Sequence, residues 1–62
     1  MNREELIACM HAKAKELVDN DTIKPLTTYS EIERIFRQQI SDNANDIFVD
    51  MFFNICVEQL RR

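Results

Sequence analysis

Ten apolar side chains fall between Ile47 and Leu60, and they do not lie on one side of a helix. At ~100° per residue, Ile47, Phe48, Val49, Met51, Phe52, Phe53, Ile55, Cys56, Val57 and Leu60 spread over roughly 280° of the circumference. A surface helix covering one core needs a stripe of only ~100°. Asp46, Asp50, Asn54 and Glu58 form the one polar line, drifting slowly along the segment. Asp50 and Asn54 also break the apolar run, which excludes a membrane span. Such a helix has to be wrapped by protein on most sides.

The rest of the chain limits what can do the wrapping. Sixty-two residues make one domain at most, and a domain of that size buries only about 60% of its unfolded surface. The first periodic segment opens with Asn2 and Glu5, a reciprocal cap, and carries Ile7, Met10, Ala14 and Leu17 on one stripe, with Leu6 and Val18 beside them. It predicts helix 1 over about 3–18. Asp19 to Thr22 stop it, Asn20 being the preferred left-handed cap in a chain that has no glycine. The connector 19–28 contains Pro25, which pushes Lys24 toward extended geometry, and Ile23 and Leu26 should anchor it to the core. Helix 2, about 29–40, is capped by Thr28 with Glu31, or by Ser30 with Glu33, and turns Tyr29, Ile32, Phe36 and Ile40 inward beside Ile35. Several residues in the polar cluster 41–46 can cap helix 3, which should run over about 43–61.

The fold class is therefore all-α, a three-helix domain. Two short amphipathic helices shield only part of helix 3, and Phe52 and Phe53 point ~100° apart. Leaving the remainder bare would expose a larger apolar patch than monomers carry. A symmetric homodimer packed through the C-terminal helix is the expected solution, with Phe48, Met51, Phe52, Phe53, Ile55, Cys56 and Leu60 at the interface. The acidic positions Asp46, Asp50 and Glu58 are either a solvated face or a contact for a basic protein partner.

The composition excludes whole classes of chemistry. Without glycine there is no Walker loop, dinucleotide fingerprint or EF-hand, since each needs glycine where backbone turns sharply or approaches a ligand. A net charge of −3 disfavours nucleic acid, whose affinity comes mainly from cations on phosphates. Arg34, Arg37 and Gln38 could still touch phosphate, but Glu31 and Glu33 weaken that field. Helix 3, with its phenylalanines and carboxylates, is no recognition helix. The single histidine, His11, has no serine or cysteine nucleophile spaced to work with it, and one histidine with two distant cysteines falls short of a zinc site. We expect no catalytic residue, cofactor or metal. A polar N-terminus, Met1 to Glu5, shows no secretory signal, which predicts a cytoplasmic location with Cys9 and Cys56 as reduced, core-type thiols; a disulfide between them stays geometrically conceivable.

The stretch Glu31, Ile32, Glu33, Arg34, Ile35, Phe36, followed by Ser41, Asp42, Asn43 and then Phe48, resembles the Hha/YmoA family of small helical regulators. The likeness covers less than half the chain and transfers no functional residues. It implies binding to a nucleoid-associated protein through acidic surface residues. At the level of class, a small acidic helical chain without glycine also resembles the accessory proteins of phages and other mobile elements, which act on host proteins in the host cytoplasm. The sequence thus reads as a non-enzymatic interaction or regulatory module that modulates a protein partner. The alternative is a transcription or nucleoid regulator acting on DNA, directly through Arg34 and Arg37 or through such a partner.

Overall fold

A computed structural model describes residues 2–62 of the chain. Each helix begins where a side chain satisfies an orphan backbone amide. The Asn2 side chain accepts from the Glu5 N–H at 2.8 Å and its own amide returns a bond to the Glu5 carboxylate, starting α1 (Arg3–Asp19). Thr28, not Ser30, caps α2 (Tyr29–Gln39) by accepting from the Glu31 N–H. Asn45 caps α3 (Asp46–Leu60) through the Ile47 N–H, so the third helix starts three residues later than the sequence led us to expect.

The end of α1 differs from expectation in one residue. Asn20 keeps an ordinary backbone, and Asp21 takes the left-handed conformation at φ 64°. Asn20 instead accepts from the Thr22 N–H through its side chain, and the Ile23 N–H reaches back to the Leu17 carbonyl at 2.9 Å. That return swings Ile23 onto the core, where it is fully buried. Leu26 does not follow it. It stands 94% exposed at the tip of a turn, contrary to its expected anchoring role.

No strand occurs among the described residues, and the architecture is an all-α, three-helix domain. Its order in space is α1, α3, α2: α3 packs on both neighbours, whereas no Cα of α1 comes within 8 Å of one in α2 among the described residues. The core is built from Met10, Ala14 and Leu17 of α1, Ile23 of the connector, Ile32 and Phe36 of α2, and Val49, Phe52 and Cys56 of α3. Phe36 and Phe52 meet with ring centroids 5.4 Å apart, and burying each ring contributes about 1.5–3 kcal/mol. The central position of α3 accounts for much of its unusual apolar breadth. Val49, Phe52 and Cys56 are fully buried, six further apolar side chains are half-buried at the two flanks, and Ile47 alone is open, at 64% exposure.

Candidate functional site

Seven residues were expected at an interface through the third helix, and the structure divides them. Phe52 and Cys56 lie wholly inside the core of the single chain and offer no surface to a partner; their place at an interface is corrected accordingly. Phe48, Met51, Phe53, Ile55 and Leu60 are half-buried, packed on the rim of the core with part of each side chain facing outward. The reason is the sandwiching of α3: its innermost stripe is used up between α1 and α2.

Around the remaining circumference, helical phase sets two apolar faces on either side of the polar line of Asp46, Asp50, Asn54 and Glu58. Ile47, Met51 and Ile55, four residues apart, make one. Phe53 and Val57 make the other, on the side of α2, where the Tyr29 ring lies 5.2 Å from that of Phe53 at a tilt of 54°.

The three acidic positions are all exposed, and each has a protein partner. Asp46 accepts from Arg37 Nη2 at 3.0 Å. Asp50 accepts from the Tyr29 hydroxyl. Glu58 stands 3.7 Å from Arg61. The Asp50 hydrogen bond, with lost hydration and the negative charges of Asp50, Glu33 and Asp46 behind it, pushes the Tyr29 phenol up to about 12 from its ordinary 10.0. Tyr29 was placed in a core stripe by its periodicity; its polar end, set against a helix that carries the polar line of Asp46, Asp50, Asn54 and Glu58, was the signal for its surface role.

Arg37 is the most connected side chain of the surface. Its guanidinium donates to Glu33 at 3.3 Å, to the Ala44 carbonyl at 3.0 Å, to the Asp42 carbonyl at 3.4 Å and to Asp46. It therefore ties α2, the following turn and the first residue of α3 together. A group so engaged is poorly placed to meet phosphate, and of the pair considered for nucleic acid only Arg34 stands exposed, with no side-chain hydrogen bond or salt bridge among the described residues.

His11 is exposed and lines an open depression of about 210 Å³ with Asn54, Ile55, Glu58, Gln59 and Arg62. Imidazole and carboxylate share that depression, but its lining contains no hydroxyl or thiol nucleophile for them to activate. Among the described residues no three potential metal ligands come together. Both cysteines are free: Cys9 is half-buried, and burial pushes the Cys56 thiol up to about 12 from an ordinary 9.0. Among the described residues no helix is long and apolar enough to cross a membrane. No protein-family model matches the chain, and no curated protein or solved structure shows significant similarity to it.

Proposed function

We propose that the chain is a non-enzymatic protein-interaction module, a regulator that acts by covering or modulating another protein. The observation that carries this reading is the apolar surface left after the core is complete: Leu26 at 94%, Ile47 at 64% and Tyr29 at 39% exposure, beside the half-buried rim of α3. Apolar side chains left bare on so small a surface gain by being covered. Self-association through the Ile47, Met51 and Ile55 face accommodates the homodimer expected from the sequence, with Phe52 and Cys56 removed from its interface. An accessory protein of a mobile element acting on a host protein, in the cytoplasm, is consistent with this reading.

Sedimentation velocity across micromolar concentrations tests the self-association. A dimer that Met51→Lys converts to a helical monomer supports it; a monomer throughout the concentration series refutes it. The engagement of Arg37 disfavours the direct DNA reading, and absence of retention on nonspecific DNA at low salt would dispose of it.

A further inference from the structure

The seam between α2 and α3 combines three features. First, it carries an aromatic pair, the exposed Tyr29 packed at a tilt of 54° against the half-buried Phe53. Second, a rigid apolar knob stands three residues before Tyr29. The Thr27 N–H donates to the Lys24 carbonyl at 2.9 Å and the Lys24 N–H donates to Thr27 Oγ1 at 2.8 Å, closing the turn from both sides, while Pro25 fixes its backbone. Leu26 is thus held out into water with little conformational freedom left to lose on binding. Three residues of chain reach no more than about 11 Å, so knob and ring pair can share one partner.

Third, the seam is electronegative. Asp50 pairs with no cation among the described residues; its recorded partner is the neutral Tyr29 hydroxyl. Glu33 and Asp46 share the single guanidinium of Arg37. Asp50, Glu33 and Asp46 all oppose ionisation of Tyr29, so the field at its hydroxyl is negative even with Arg37 present.

The geometry points to this seam as a docking surface for a basic segment of another protein, one that lays a lysine or arginine over the Tyr29 ring beside Asp50 and an apolar side chain against Leu26. The inference rests on the interaction-module reading and adds the chemistry of the partner. An aromatic face attracts a cation through its quadrupole, and a carboxylate at its edge adds charge and a hydrogen-bond acceptor. A second copy of this chain fits the seam poorly. A two-fold axis there would set Asp50 against its own equivalent between molecules that each carry a net charge of −3.

The test is an amide NMR titration of the full chain with two synthetic helical peptides sharing one leucine stripe, one flanked by arginine and the other by glutamate. We expect saturable shifts at Leu26, Tyr29, Asp50 and Phe53 with the arginine peptide, weakened by added salt, and none with the glutamate peptide. Asp50→Asn keeps an acceptor for Tyr29, and Leu26→Ser alters a side chain that makes no core contact; each should weaken binding about tenfold with the fold intact. Arginine-peptide shifts clustered around His11 would overturn the seam while leaving the module reading standing. Concentration-dependent shifts at the seam without peptide would overturn the basic partner in favour of a second copy. No shifts with either peptide, together with a monomer by sedimentation, would bring down both readings.

Discussion

Tyr29 and Cys56 are acids whose neutral forms the fold protects by opposite means. Tyr29 sits at the surface and donates a hydrogen bond to Asp50; Cys56 sits in the core, away from the water that would solvate a thiolate. Both are raised above their ordinary values, so their stabilising contributions are intact at neutral pH and disappear at the alkaline end: from about 9 to about 12 for the thiol, and from about 10 to about 12 for the phenol. Alkaline unfolding followed by circular dichroism should therefore steepen across that window. Tyr29 is the only tyrosine and there is no tryptophan, so tyrosinate absorbance reports it alone. Its midpoint should lie near 12 and fall toward 10 in Asp50→Ala, which removes both the acceptor and the charge; an unmoved midpoint would show that Asp50 does not set it. Thiol labelling of the native protein should modify Cys9 first and reach Cys56 only on unfolding. At this scale the sequence was legible where periodicity was strong, as at Met10, Leu17 and Phe36, and misleading at Phe52, expected at an interface and found in the core, and at Leu26. Two apolar residues in a connector look alike in sequence, and the backbone turn decides that Ile23 goes in and Leu26 out.

At the scale of the element, the start of α3 is the instructive case. The polar cluster from Ser41 to Asp46 offers several chemically equivalent caps, so sequence could place the helix start only to within a few residues. Arg37 resolves the choice from a neighbouring helix, because its guanidinium reaches the Ala44 carbonyl and the Asp46 carboxylate at once and so fixes the turn ahead of Asn45. Replacing Arg37 with alanine should loosen that turn and cost about 1–2 kcal/mol, read as a lower urea midpoint, whereas Arg34→Ala should stay within about 0.5 kcal/mol. Equal effects of the two substitutions would mean that the Arg37 contacts hold nothing. The exposed pairs Lys13–Glu16 and Lys15–Asp19 on α1 contribute at most a few tenths of a kcal/mol each, about the worth of other solvent-facing helix pairs.

The whole molecule measures 28 × 20 × 16 Å and is organised around one helix between two others. The breadth of the apolar surface on α3 was plain from the sequence. What the sequence could not supply was the packing order, in which α3 packs on both α1 and α2 while no Cα of those two comes within 8 Å of the other among the described residues. Covering is still incomplete, as Ile47 shows. With a single core, removal of one large side chain acts on everything at once. Phe36→Ala or Phe52→Ala should cost about 3–5 kcal/mol, comparable to the ~3–5 kcal/mol such a core supplies in total. Either variant should have lost most of its helical circular dichroism signal at room temperature; a cooperative melt in both would show that the stability resides elsewhere. Because α1 and α2 each pack closely on α3, with no Cα of one within 8 Å of the other among the described residues, a nascent chain emerging from the ribosome holds two helices that lack their common partner. Productive folding has to wait until Val49, Phe52 and Cys56 have cleared the exit tunnel, and until then the growing polypeptide is open to chaperones and proteases.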